Sequence, residues 1–213
     1  MPNDAVLQSL RDALGADGVL AGDDLAQRRH ADWSGLPAAV PLALLRPRNT
    51  QQVSQALAVC HRYRQPVVVQ GGLSGLAGGA CTQEGDIALS LERMNAIEEV
   101  DEASGTMTVQ AGVTLQAVQE RAHDQGLMFA LDLGARGSCT IGGNLGTNAG
   151  GNRVIKYGMA REQVLDLEAV LADGRVVGGL RKMVKNNTGL DLKNLLIGSE
   201  GTLGVITRAV LRL

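Results

Sequence analysis

The residues of this chain best suited to chemistry are glycines, and they crowd into two places. From Asp132 to Gly158 the sequence reads DLGARGSCTIGGNLGTNAGGNRVIKYG, in which eight glycines alternate with Ser138, Thr140, Asn144, Thr147, Asn148 and Asn152. Glycine loses more conformational freedom on folding than any other residue, so crowding it is costly unless close backbone approach or a positive φ is required. Such a stretch bares main-chain N–H groups beside small hydroxyls and amides, a donor set that suits a large phosphate-bearing ligand. A flexible linker has a similar composition. Here, however, Leu133, Ile141, Leu145, Val154 and Ile155 recur as apolar anchors that a linker does not need.

The second place is QGGLSGLAGG at 70–79, directly after an apolar run at Val67, Val68 and Val69. A strand feeding a glycine-rich turn, with a helix start after it, aims unpaired N–H groups at an anion. The donors would be the backbones of Gly71, Gly72, Leu73, Ser74, Gly75 and Leu76, with the Ser74 hydroxyl. No Lys-Ser/Thr follows, and the glycines do not fall at G-x-G-x-x-G positions, so neither a P-loop nor a dinucleotide fingerprint is present. A tight turn needing glycine for geometry alone accounts for one such loop. Two of matching polarity favour a ligand with separate phosphate and ring portions.

Other reactive side chains are sparse. His30, His61 and His123 show no metal-ligand spacing, and His61 and His123 read as solvated positions on amphipathic helices. Cys60, Cys81 and Cys139 are odd in number with no CxxC, which predicts free thiols in a reducing cytosol. No catalytic residue and no metal ligand are assigned.

The elements that must position the two loops follow from periodicity. Leu7, Leu10 and Leu14 share one helical face over 3–14, stopped by Gly15, and a short helix is expected from Asp23 or Asp24 towards His30. A short strand lies between Pro41 and Pro47. Thr50 is expected to cap a helix burying Val53, Leu57 and Cys60, and Val67–Gln70 completes a strand–helix–strand unit whose crossover implies a parallel pair. Further strands are expected at 87–90, 97–101 and 106–110, the last two forming a hairpin about Ser104-Gly105. A helix capped by Thr114 follows, then strands 164–171 and 175–177 about Asp173-Gly174. A short helix at 191–196 precedes the final strand. The fold class is α+β in two lobes: a small βαβ lobe to about residue 91 and a larger strand-rich lobe over 92–213, with 1–35 as a helical extension.

The totals agree with this outline. A chain of 213 residues, 45% apolar and 20% charged, is long enough for a substantial core. Its 28 glycines are about twice the average share of roughly 7%. Aromatic residues are 2%, so the core must be aliphatic and base-stacking platforms are missing. With a net charge of −2 and scattered Lys and Arg, no nucleic-acid footprint is expected. No apolar run reaches the length of a membrane span or resembles a signal peptide, and a cytoplasmic location is expected.

These motifs, taken in order, resemble the FAD-binding domain of the vanillyl-alcohol-oxidase or PCMH type of flavoprotein. Within it they are most similar to the branch of D-2-hydroxyglutarate dehydrogenase, D-lactate dehydrogenase and glycolate oxidase flavoproteins. The resemblance rests on DWSG at 32–35, QGGLSGLAGG at 70–79, LSLERMNAI at 89–97 and the 132–158 stretch. It continues through VLDLEAVLADG at 164–174 and KNNTGLDLKNLLIGSEGTLGVIT at 185–207. It implies FAD held between two lobes, with Gly71–Leu76 cradling the pyrophosphate. Ser138, Gly142, Gly143, Asn144, Thr147 and Asn148 would line the flavin and ribityl-diphosphate, continued by Gly151 and Arg153. The backbone from Glu200 and Gly201 to Ile206 would pass near the adenosine half. Hydride transfer from a 2-hydroxy acid to noncovalent FAD is the implied reaction. The resemblance also implies that a substrate or cap domain, or a partner chain, is needed for turnover. Cys139 falls where distant members attach flavin covalently; noncovalent binding is expected. The competing reading is a non-catalytic FAD- or nucleotide-binding module, or a decayed fragment.

Overall fold

The computed structural model describes residues 2–213 and contains two sheets with helices packed between and around them. The chain opens with α1 (Pro2–Leu14), then β1 (Val19–Leu20), β2 (Ala43–Leu45), α2 (Thr50–Tyr63), β3 (Val67–Gln70) and β4 (Ile87–Ser90). Its second half runs β5 (Ile97–Asp101), β6 (Thr106–Gln110), α3 (Leu115–Asp124), α4 (Ile141–Gly146), α5 (Val154–Tyr157), β7 (Val164–Val170), β8 (Val176–Gly178), α6 (Leu192–Leu196) and β9 (Val205–Arg212).

The first sheet has the order β1-β2-β4-β3. The strand–helix–strand unit is present, but β2 and β3 are not neighbours. β4 lies between them and pairs parallel with both, Ala88 aligning with Leu44 on one side and Val68 on the other. Every residue of β4 is buried, which is what a central parallel strand requires. The β1 edge strand, two residues long, has too little periodicity to be read from sequence. α2 is capped by Asn49, whose side chain accepts from the Gln52 N–H, one residue before the expected Thr50. Thr50 instead donates to Glu168 Oε1 at 2.5 Å, tying α2 to β7.

The second sheet is antiparallel, ordered β5-β6-β9-β7-β8. Its central strand is the C-terminal one, since β9 inserts between β6 and β7. Thr114 caps α3 through the Ala117 N–H, as its position predicted. The aliphatic core forms two large clusters. Met107, Leu115, Phe129, Ile141, Leu167 and Leu211 belong to that of the second sheet; Leu10, Leu45, Val53, Ile87 and Leu89 belong to that of the first. Val170 and Val205, from the ends of β7 and β9, pack into the first cluster, so the two halves share apolar contacts. α1 packs there too, through Val6, Leu10 and Leu14.

Candidate functional site

The first glycine loop differs from the helix-start picture. No helix follows β3; residues 71–86 are turns and irregular backbone leading to β4. Among the described residues, the N–H groups of Gly71 through Ala77 have no protein acceptor. The loop therefore presents a run of unpaired donors without a helix dipole behind them, which is the physical content of an anion-binding nest. Leu73 adopts φ +52, a left-handed conformation that costs a leucine roughly 1–2 kcal/mol. Such strain persists where the surroundings over-determine the backbone.

The 132–158 stretch behaves in the opposite way. It contains two short helices, α4 and α5, that glycine-rich composition concealed. The N–H groups at its α4 end are already used: Ile141 donates to Val113 O, Gly142 to Ala111 O at 2.7 Å, Gly143 to Thr140 Oγ1 and Asn144 to Thr140 O. Its glycines serve close packing. A Cβ on Gly142 would lie 2.7 Å from the Ala111 Cβ, and one on Gly151, at φ +107, would lie 2.1 Å from the Asp132 carbonyl oxygen.

The two loops meet directly. A Cβ on Gly72 would fall 1.8 Å from the Ser138 carbonyl oxygen, and one on Gly71 would fall 2.7 Å from Thr140 Oγ1. Around this crossing lie two clefts that share Gly71, Gly72, Leu73 and Thr140. The larger, about 740 Å³, is within the range of cofactor pockets. Gly71 to Leu76, Gly142, Gly143, Asn144, Thr147, Glu200, Gly201 and Ile206 all line it. Ser138 lines the smaller cleft, about 460 Å³, with Glu92, Asn95 and Gly112. Asn148, Gly151 and Arg153 line neither. Asn148, at φ +47, accepts from the Arg161 N–H; Gly151 pairs with Asp132; and Arg153 lies 3.7 Å from an Asp132 oxygen.

Among the described residues no Lys or Arg lines the larger cleft, whereas Asp32 and Glu200 do. Arg136 also pairs with Asp132, and Lys156 lies over the Tyr157 ring at 5.0 Å. An anion entering here is met by neutral donors. Asn144 adds a buried Nδ2 with no hydrogen-bonded oxygen or nitrogen, and the Cys139 sulfur is a polar neighbour. Burial pushes the Cys139 thiol up, which keeps it protonated.

Sequence reasoning missed Asp32, Trp33 and Gln70 as parts of the cleft wall. DWSG carried a signal as a motif, but only the fold carries it to the loop at Gly75. Gln70 ends β3, where its side chain turns back to donate to the Ala80 carbonyl oxygen at 3.0 Å.

Residues 41–178 match the family described as "FAD binding domain". This chain belongs to that family. A glycine-lined cleft with a run of unpaired N–H groups fits the diphosphate of FAD, and the family identifies FAD as the cofactor of this domain. The FAD-binding domain is 48% identical over 189 residues to the mitochondrial D-2-hydroxyglutarate dehydrogenase of Bos taurus, covering 89% of this chain and 35% of that protein. It is 44% identical over 182 residues to the D-2-hydroxyglutarate dehydrogenase of Xanthomonas citri pv. viticola, covering 85% of this chain and 39% of that one. The chain thus spans little more than a third of the length of these relatives. Among solved structures, alkyldihydroxyacetonephosphate synthase superposes with a TM-score of 0.83 at 22% identity, over 98% of this chain and 40% of that one. p-Cresol methylhydroxylase with substrate bound superposes with 0.81 at 22% identity, over 100% of this chain and 43% of that one. These two likenesses establish the fold, a two-lobed α+β arrangement.

Proposed function

We propose that this domain holds FAD for a dehydrogenase of D-2-hydroxy acids, with a substrate-presenting domain or partner chain completing the site. The observation that carries the reading is the larger cleft, where Gly71–Leu76 offers a run of unpaired backbone N–H groups and residues of the 142–147 and 200–206 segments form further walls. FAD, when bound, supplies the two-electron acceptor for the hydrogen at C2 of the hydroxy acid. The chain's own residues bind and orient it. Gly71 to Leu76 hold the diphosphate; Gly142, Gly143, Asn144 and Thr147 line the ribityl–flavin portion; Glu200, Gly201 and Ile206 flank the adenosine half. The substrate class is favoured by the identities of 48% and 44% to proteins named D-2-hydroxyglutarate dehydrogenase.

Binding is proposed to be noncovalent, because the Cys139 thiol is buried and held protonated and so is a poor nucleophile. No helix among the described residues is long and apolar enough to cross a membrane. We infer a cytoplasmic location from the three free cysteines; the mitochondrial name belongs to the bovine relative.

The test is an absorption spectrum of the purified chain, before and after FAD is added, followed by acid precipitation. Yellow protein that releases its colour into the supernatant supports noncovalent binding, and protein that takes up no FAD overturns the reading. Anaerobic addition of D-2-hydroxyglutarate, D-lactate and glycolate then tests the chemistry. Bleaching only when a substrate-presenting domain or partner chain is supplied is the expected result. No bleaching by any 2-hydroxy acid even then would favour a non-catalytic FAD-binding module.

A further inference from the structure

The loop that offers its N–H groups to the diphosphate has a mechanical difficulty. From Gly71 to Ala77 those groups bond to no protein acceptor among the described residues, and three of the seven residues are glycine. A segment with so few internal bonds loses much entropy on ordering. Something outside it must fix its shape before the ligand arrives.

The segment from Asp32 to Ala39 does this. It runs beside residues 75–82 and is fastened to them at several points. The Trp33 N–H donates to Gly75 O at 2.8 Å, and Ala39 exchanges hydrogen bonds with Thr82 through its N–H and carbonyl. Between these points stands Asp32, 6% exposed. Its Oδ2 accepts from the Gly78 N–H at 2.9 Å; its Oδ1 accepts from the Ser34 N–H at 3.0 Å and from the Cys81 thiol at 3.6 Å. Gly78, at φ +82, is the residue just past the unpaired run. Asp32 has no Lys or Arg partner among the described residues, so a buried carboxylate is retained without a counter-cation. Unpaired buried charge is costly. Here three donors offset it, and they need two acceptor-only oxygens, which an ionised aspartate has and an asparagine lacks.

We propose that Asp32 is the positioning residue of the FAD diphosphate loop, holding Gly78 so that the N–H groups of Gly71–Ala77 remain aimed into the cleft. The Asp32 oxygens are occupied by Gly78, Ser34 and Cys81. Asp32 acts through the loop, from behind, and Gln70 closes the same loop at its base through Ala80. The proposal rests on the reading of the larger cleft as the FAD site.

The effect should be confined to ligands that carry the diphosphate. Asp32→Asn and Asp32→Ala are compared with the wild-type chain for FAD, ADP and riboflavin binding by fluorescence and calorimetric titration, together with the melting temperature without ligand. The expected result is a loss of affinity of about tenfold or more for both FAD and ADP. Riboflavin affinity and the ligand-free melting temperature should stay close to wild type. Affinity for FAD unchanged in Asp32→Asn overturns the proposal. So does an equal loss for FAD and riboflavin that parallels a fall in melting temperature, since that is merely structural damage. Wild-type chain that binds neither FAD nor ADP would sink the cofactor reading and this inference together. If the variants do not fold, amide exchange on the wild-type chain decides. The Gly78 amide should be protected without FAD, and the amides of residues 72–77 only with it. A Gly78 amide that exchanges as fast as its neighbours overturns the proposal.

Discussion

At the scale of single residues, the site is made by absent side chains. Gly72 is the sharpest case, because its Cα faces the Ser138 carbonyl across the crossing of the two loops. Gly72→Ala would place a methyl 1.8 Å from that oxygen, and backbone cannot yield as a flexible side chain can. The substitution is expected to cost about 1–3 kcal/mol in urea unfolding and to abolish measurable FAD uptake. The thiols give a second residue-scale expectation. Burial pushes Cys60 up to about 12 and raises Cys139, so both should resist a thiol reagent in the native chain. Cys81, half-buried, should be the single fast-reacting thiol. Three fast thiols in native buffer would contradict the packing described. The glycines of both loops were conspicuous in the sequence, but their different employments were not. Composition does not distinguish a glycine whose N–H is left unpaired, as at Gly71, from one whose N–H is already bonded, as at Gly142.

At the scale of elements, the first loop presents neutral donors on a wall whose charged groups among the described residues, Asp32 and Glu200, are negative. Salt screens repulsion as well as attraction. FAD affinity should therefore stay flat or rise slightly as salt is raised, and a steep loss in a salt titration would show that a cation holds the diphosphate instead. A second expectation concerns the fastening of the N-terminal segment to the first sheet. Glu92, just after β4, accepts from Arg28 and from Arg46, each at 2.5 Å. Burial would raise its carboxyl, but the two guanidinium hydrogen bonds outweigh this and hold it below its ordinary value of 4.5. The unfolded chain thus takes up this proton first as pH falls. The stabilisation is complete above the ordinary value and is lost as pH drops through the depressed one. Because the groups are about a third exposed, the contribution is about 1 kcal/mol or less. Glu92→Gln should lower the urea midpoint at about pH 6 and make little difference at about pH 3.

At the scale of the whole molecule, Met183, Val184, Leu190, Leu192, Leu195 and Leu203 are all exposed, Leu190 to 91%. Apolar groups crowded into one sequence region of the surface favour association. The isolated chain is expected to self-associate as its concentration rises, and Leu190→Ser with Leu195→Ser to shift light scattering towards the monomer. A monomer at every concentration would show that these exposed side chains do not drive association.

Periodicity and turn chemistry are local, so every strand but β1, together with α2, α3 and the two hairpins, could be read from the chain, as could two glycine-rich loops suited to a phosphate-bearing ligand. The placement of β4 between β2 and β3 could not, nor could that of β9 between β6 and β7, because strand order depends on pairings between segments far apart in sequence. The same limit hid Asp32. Its chain neighbour Ser34 gives it only a local hydrogen bond, and it acquires its hold on the loop only where folding brings Gly78 and Cys81 against it. Residue types announced the kind of ligand. Non-local packing decided which backbone donors remain free to bind it.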